Sequence, residues 1–168
     1  AAGYGDFIDQ LHRNRYGYRF YTALFIAAMQ GAHTEKSIIE ALERIYCQEE
    51  NFDGVVIIRG GGATSELNCF DSYELAQNVA QFPLPILAGI GHDRDETVID
   101  RIANVRVKTP TAAAEWFISR AMEADRKLAE LQTALSSEVN NLLQTARQKL
   151  SSLGQQLPSV IGRRLIIG

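Results

Sequence analysis

Arg59 closes a run of four β-branched residues, Val55-Val56-Ile57-Ile58, and is followed at once by Gly60, Gly61 and Gly62. A guanidinium presents a two-pronged donor to a phosphate, and consecutive glycines let backbone N–H groups approach an anion with no side chain in the way. A second pair, Gly89 and Gly91, leads into His92, with Asp95 three residues further on. Imidazole exchanges a proton near neutral pH, and in a helical turn residues three apart share a face. An anion-binding arginine and a proton-exchanging histidine at the ends of two apolar runs are the chemistry-bearing groups of this chain. A plain strand-to-helix turn with a surface arginine and a structural histidine is the competing reading. Further basic groups stand in RNRYGYRF, where Arg13, Arg15 and Arg19 alternate with tyrosines. Such a mixture can track a nucleic-acid backbone while the rings stack on bases, and it also suits a solvated loop.

These residues need strands to present them. The continuous apolar runs Val55–Ile58 and Leu84–Ile90 suit strands buried on both faces. Arg19–Met29 reads as an earlier strand. Thr34 is expected to cap a helix from Glu35 to about Glu49, whose apolar face is Ile38, Ile39, Leu42, Ile45 and Tyr46. Helical patterns follow at Tyr73–Ala80 and Thr97–Ala103, and Asp6 is placed to cap a short helix reaching about Asn14. Strands alternating with helices of this length predict an α/β fold: a doubly wound, mostly parallel sheet with Gly-rich loops at the carboxyl ends of its strands.

The chain has 168 residues, 46% hydrophobic and 22% charged, which fits a globular domain rather than a disordered segment. A net charge of −3 gives no overall support to a nucleic-acid binder and leaves only the local basic clusters. Two cysteines, Cys47 and Cys69, build neither a disulfide framework nor a zinc site, and a reducing cytoplasm is the simplest setting. No apolar run approaches the ~20 residues of a membrane span. The chain opens with AAGYGDF and no methionine, as expected of a fragment or a processed product.

Thr111 is expected to cap a last helix beginning with AAAEW, and Pro158 to stop it. Between them Leu128, Leu131, Leu135, Val139, Leu142, Ala146, Leu150, Leu153 and Leu157 recur at spacings of 3, 4, 4, 3, 4, 4, 3 and 4. This is an 11-residue repeat, which favours straight or slightly right-handed packing. A helix of about 45 residues, roughly 67 Å long, exceeds the width of an α/β domain. It is therefore expected to project and to cover its apolar stripe by self-association or with a partner subunit; folding back on itself near Glu138–Asn141 is the alternative. The resulting division is an α/β domain over residues 1–111, a helical arm over 112–157 and an unassigned tail over 158–168.

The ordered set of IIRGGG at Ile57–Gly62, the Phe70-Asp71 pair, LPILAGIGHDRDETVID at Leu84–Asp100 and KTPTAAAE at Lys108–Glu115 resembles the catalytic domain of the exonuclease VII large subunit. AAGYGDF and AMQG at Ala28–Gly31 are weaker matches. The resemblance covers about residues 1–115 by motif and the long helix by character. It implies a nuclease that degrades single-stranded DNA to oligonucleotides, and a helix that binds exonuclease VII small subunits, with homo-oligomerisation. It also implies an OB-fold domain and a first catalytic-domain strand outside this chain, so that another element fills the strand's slot or the sheet keeps an open edge.

On that resemblance the catalytic set is Asp6, Arg59, His92 and Asp95. Gly60, Gly61, Gly62, Arg13, Arg15 and Thr109 form the phosphate- and DNA-binding set. Arg59 neutralises the phosphoryl oxygens, His92 serves as general base or acid, and Asp95 orients His92 or holds water or a metal. Asp6 joins them if the first segment folds over the sheet edge. Magnesium is compatible with these carboxylates, but no His/Asp spacing gives a two-metal site. The chain departs from the family's pattern in Ala63-Thr64-Ser65-Glu66-Leu67, which lacks one acid of a pair, and in Asn104, where an aspartate is usual. Two other classes remain: a non-catalytic module binding a nucleotide or sugar phosphate, and a structural assembly protein with a vestigial α/β head.

Overall fold

The computed structural model describes residues 2–59, 64–90 and 96–165. The chain divides into two compact units, Ala1–Ala121 and Met122–Gly168. In the first, α1 (Ala2–His12) and α2 (Thr34–Tyr46) precede β1 (Val55–Ile58), and a 3-10 segment, Thr64–Phe70, leads into α3 (Tyr73–Ala80). Then come β2 (Ile86–Gly89), α4 (Val98–Ile102), β3 (Val105–Arg106) and α5 (Pro110–Leu165).

The three strands form a parallel sheet in the order β1-β2-β3. Val55 is level with Ile86, Ile58 with Gly89, and Leu87 with Val105. Successive side chains of β1 point to opposite faces. Val55 and Ile57 enter a core with Ile38, Leu42 and Ile45 of α2, Leu75 and Val79 of α3, Ile99 of α4, and Phe70. Val56 and Ile58 pack instead against a second core built from Phe7 and Leu11 of α1 with Ala113, Ala114 and Ile118 of α5. Helices thus cover both faces of a parallel sheet, and this α/β arrangement agrees with the alternating pattern of the sequence.

Several boundaries differ from expectation. Arg19–Met29 is not a strand of this sheet. From Leu24 to Gln30 its residues alternate between exposed and half-buried, with Phe25, Ala27 and Met29 against the first core. That is the burial rhythm of a strand, but a strand also needs a ladder partner. Here Ala28 N–H donates to Ser37 Oγ at 2.8 Å, and Arg44 Nη2 donates to the Ile26 carbonyl at 3.1 Å. Side chains of α2 thus satisfy backbone groups that a neighbouring strand would otherwise take. Thr34 is the first residue of α2 rather than its cap. It is fully buried, and its hydroxyl donates to the Gly31 carbonyl at 2.9 Å, turning back into the preceding loop. Helix α2 also ends at Tyr46, short of Glu49, and a 3-10 turn at Glu49–Asn51 follows. Asp6 does not cap α1, which begins at Ala2 and leaves Asp6 exposed on its flank.

The start of the long helix shifts in the same way. Thr109, not Thr111, supplies the cap: its Oγ1 accepts from Ala112 N–H at 3.1 Å, and Pro110 takes the first helical position. Proline suits that position because the N–H it lacks would have no helical partner there. At the other end α5 runs to Leu165, past Pro158. One proline removes a single i→i−4 bond, and here the helix continues beyond that loss. Within the second unit Leu128, Leu131, Leu135, Val139, Leu142, Leu150 and Leu153 are all at least 45% exposed.

Phe70 is 0% exposed in the first core, whereas Tyr73, three residues on, is 82% exposed. Replacing Phe70 with alanine is expected to cost ~3–5 kcal/mol. Tyr73→Ala is expected to stay within about 0.5 kcal/mol of the unsubstituted chain. Urea unfolding of the two variants measures the difference, and equal midpoints would remove Phe70 from the core.

Candidate active site

Parallel pairing brings the carboxyl ends of β1, β2 and β3 to one edge of the sheet. Arg59 is the first residue beyond β1, and its N–H donates to the Gly89 carbonyl at 3.3 Å, carrying the β1–β2 ladder one step further. Its side chain is drawn inward, and the residue is only 7% exposed. A guanidinium keeps its charge in such a place, and an anion meeting it away from bulk water is held more strongly than at an open surface.

Gly89 ends β2 between its two neighbours. A Cβ there would lie 3.2 Å from Cγ2 of both Ile58 and Val107, and 3.8 Å from the Thr109 carbonyl oxygen. A glycine lets the three strand ends approach here without crowding those two methyl groups. The structure therefore brings two of the expected residues, Arg59 and Thr109, to one edge, one on each side of Gly89. The Thr109 hydroxyl accepts from Ala112 N–H and lies 2.9 Å from Thr111 Oγ1, while the Thr109 carbonyl accepts from Ala113 N–H at 3.0 Å. Thr109 is exposed, so this capped helix start opens onto the sheet edge.

The other expected residues fall elsewhere. Asp6 is exposed on α1, which packs through Phe7 and Leu11. Arg13 pairs with Asp9 at 3.1 Å on the surface of α1. Arg15 donates from Nη2 to Tyr16 Oη at 2.9 Å, with its guanidinium 5.1 Å from the centre of that ring. Gly60, Gly61, Gly62, His92 and Asp95 lie outside the described residues.

The basic and aromatic loop is a built turn, a feature the sequence reading left as two alternatives. Asn14 Nδ2 donates to the carbonyls of Leu11 and Tyr18, both at 2.7 Å, and its Oδ1 accepts from Tyr18 N–H at 3.0 Å. Gly17 adopts a φ of 77°, which a glycine enters without strain. Tyr16 and Tyr18 then stack with ring centres 6.0 Å apart. An asparagine followed three residues later by a glycine was the available signal.

Sequence reasoning also missed what holds the start of α4. Thr97 and Asp100 form a reciprocal cap: Asp100 Oδ2 accepts from Thr97 N–H at 3.0 Å and from Thr97 Oγ1 at 2.8 Å, and Asp100 N–H donates to Thr97 Oγ1 at 3.2 Å. Both residues are buried. Glu96 accepts from Arg101 Nε at 2.9 Å and from Arg106 Nη1 at 2.7 Å. Asp71 Oδ1 accepts from Val98 N–H at 2.8 Å. The T-x-x-D spacing signalled the first of these, whereas the Asp71 bond spans 27 residues and leaves no local pattern. Asn104 is engaged at the opposite end of β2, where its Oδ1 accepts from Ile86 N–H at 2.7 Å. Among the described residues no group of three His, Cys, Asp or Glu is placed to hold a metal ion.

Comparison with known proteins gives this edge a context. A family model described as "Exonuclease VII, large subunit" matches residues 1–165. An exodeoxyribonuclease 7 large subunit of a Nostoc species is 35% identical over 160 residues, covering 91% of this chain and 38% of the relative. That of a Cyanothece species is 34% identical over 157 residues, covering 94% and 35%. That of Acaryochloris marina is 38% identical over 116 residues, covering 68% and 27%. The chain thus spans 38% or less of the length of these three relatives. With a match running through the parallel sheet and into the long helix, the chain belongs to the exonuclease VII large-subunit family.

Proposed function

We propose that this chain is the catalytic part of an exodeoxyribonuclease that hydrolyses phosphodiester bonds of single-stranded DNA to oligonucleotides. The observation that supports this reading best is Arg59, an arginine buried just beyond the carboxyl end of β1 and beside Gly89 of the neighbouring strand. On this reading the three strands are the middle of a doubly wound sheet, and its Gly-rich turns line the edge that meets DNA.

The chemistry divides among the chain's own residues. Arg59 neutralises the phosphoryl oxygens as charge builds on them, aided by the N–H groups of Gly60, Gly61 and Gly62. His92 takes the proton of the attacking water and returns one to the leaving oxygen, and Asp95 holds the imidazole in orientation. Thr109, at the exposed start of α5, adds a polar contact for a flanking phosphate. Arg13 and Arg15 follow the strand further out, with Tyr16 offering a ring for a base. Asp6 completes the catalytic set when the bound strand brings it to the edge. A magnesium ion, where present, would add charge neutralisation; the described carboxylates form no three-ligand site for it. Among the described residues no helix is long and apolar enough to cross a membrane. On this reading the enzyme works in the reducing cytoplasm, where two cysteines need form no disulfide framework.

The helical arm serves assembly on this reading. An apolar stripe left at least 45% exposed along its length needs another helix against it, from a small subunit or a second copy. The domain division is then an α/β nuclease head over residues 1–111 and an assembly arm over 112–157.

Hydrolysis of a 5′-labelled single-stranded oligonucleotide tests the nuclease, using the full-length large subunit assembled with its small subunit and a duplex control. Cleavage is expected for the single strand, with a loss of about 10²-fold or more in His92→Ala and little change in DNA binding. Parallel reactions with magnesium and with chelator read out the metal requirement. No cleavage by the folded assembly would turn the site into a phosphate-binding module. Replacing Leu135 and Leu142 together with glutamine is expected to abolish assembly in sedimentation experiments while leaving the head folded. Intact assembly in that variant would remove the stripe from the interface.

A further inference from the structure

The order β1-β2-β3 puts β1 at the end of the sheet. Val55 and Ile57 are buried in the first core, and Val56 and Ile58 pack against the second, so β1 is covered on both faces. Parallel strands covered in this way ordinarily lie inside a sheet. Val55 N–H donates to the Pro85 carbonyl at 2.9 Å, and Arg59 N–H to the Gly89 carbonyl at 3.3 Å. Backbone groups of successive strand residues point to opposite edges. Val55, Ile57 and Arg59 therefore serve β2, and Val56 and Ile58 direct their N–H and C=O groups to the open edge.

A second edge of this kind runs through residues 24–30. Phe25, Ala27 and Met29 lie against the first core, as Val55 and Ile57 do, while Tyr18 and Phe20 lie against the second. The stretch from Tyr18 to Met29 thus addresses both faces of the sheet layer. Phe25 meets Phe52, just ahead of β1, with ring centres 5.7 Å apart. Helix α2 joins the segment to β1, as in a crossover between parallel strands. The bonds to Ser37 and Arg44 use the N–H of Ala28 and the carbonyl of Ile26. On a strand's alternation, the backbone groups of Phe25, Ala27 and Met29 face the other edge. Among the described residues no backbone–backbone hydrogen bond joins this segment to β1. Two half-buried edges thus lie beside the same cores, each with donors and acceptors for a ladder. Backbone groups in such a place ordinarily have partners.

We propose that these two edges take an extended strand between them, supplied by a further stretch of the full-length large subunit. The added strand is apolar on both faces, because its side chains enter the first and second cores alternately. It is about as long as β1, which has four residues, and it pairs through its backbone on both sides. Ser37 and Arg44 close the far edge of the 24–30 segment, which leaves the near edge for the addition. A stretch of the same polypeptide suits the place, because tethering presents it at a high effective concentration. The matched relatives are long enough to carry it, since this chain spans 38% or less of them.

Amide hydrogen exchange tests the proposal, comparing the 168-residue chain with the full-length large subunit assembled with its small subunit. The amides of Val56, Ile58 and Ala27 are expected to exchange about 100-fold or more slowly in the full-length protein. Ile57, whose N–H belongs to the β1–β2 ladder, is the internal reference and is expected to be protected in both. Fast exchange at Val56 and Ile58 in the full-length protein would overturn the proposal. Protection that grows with concentration in the 168-residue chain would assign the strand to a second copy instead. A second comparison needs only the full-length protein. Val56→Pro removes an N–H that β2 does not use, and proline is tolerated on an end strand whose N–H faces solvent. With a strand paired there, Val56→Pro is expected to melt about 5 °C or more below Val56→Ala, which trims the side chain and keeps the N–H. Equal melting temperatures for the two variants would leave that edge unpaired and refute the added strand. Neither readout involves cleavage, so failure here leaves the nuclease reading standing.

Discussion

The parallel pairing of β1 with β2, closed at its end by Gly89, is the constraint on which the rest of this structure depends. It brings Ile58 level with Gly89 and lets the Arg59 N–H add one more rung. Because both strands run the same way, the segments that follow them leave from one edge. A Cβ on Gly89 would press on the side-chain methyls of Ile58 and Val107, 3.2 Å away, while the Thr109 carbonyl at 3.8 Å would stay in ordinary contact. Arg59, just beyond β1, and Thr109, at the start of α5, stand on either side of that close approach. A substitution far from any chemistry, on the buried residues of β1 or β2, acts on the site through this edge.

Much of this was legible from pattern alone. The β-branched run Val55–Ile58 and the apolar run ending in Gly89 predicted β1 and β2 because a strand covered on both faces has no polar side. Helix α3 follows the expected Tyr73–Ala80. What stayed hidden depends on partners distant in sequence. The segment Arg19–Met29 has a strand's alternation, and no local feature says that Ser37 and Arg44 would serve its backbone instead of a ladder. The two-residue strand β3 is too short to carry a period. Caps were misplaced by one or two residues at Thr34 and Thr111: the Thr34 hydroxyl turns back to the Gly31 carbonyl, and at α5 it is Thr109 that takes the Ala112 N–H.

The site was legible to the same degree. Residue types and spacing picked out Arg59, the family motif pointed to Thr109, and the topology gathers both at one edge around Gly89. Asp6, Arg13 and Arg15 were chosen for charge and motif, and charge alone does not say where a side chain lies. Arg15 illustrates the difficulty: its guanidinium lies beside Tyr16, so cation and ring form one unit in a turn that Asn14 organises. The asparagine, which carries no charge, was the informative residue there.

Asn104 bears on how variation among relatives is interpreted. Its side-chain oxygen accepts from the Ile86 N–H at the entry to β2, the end of the strand remote from Gly89. An aspartate would accept the same N–H from the same position, because amide and acid differ there only in the atom that faces away. Exchange between the two thus preserves the start of the strand whichever residue a lineage carries. An acid or an amide at this position bears on the threading of the sheet at the entry to β2, away from the edge where Arg59 and Thr109 lie.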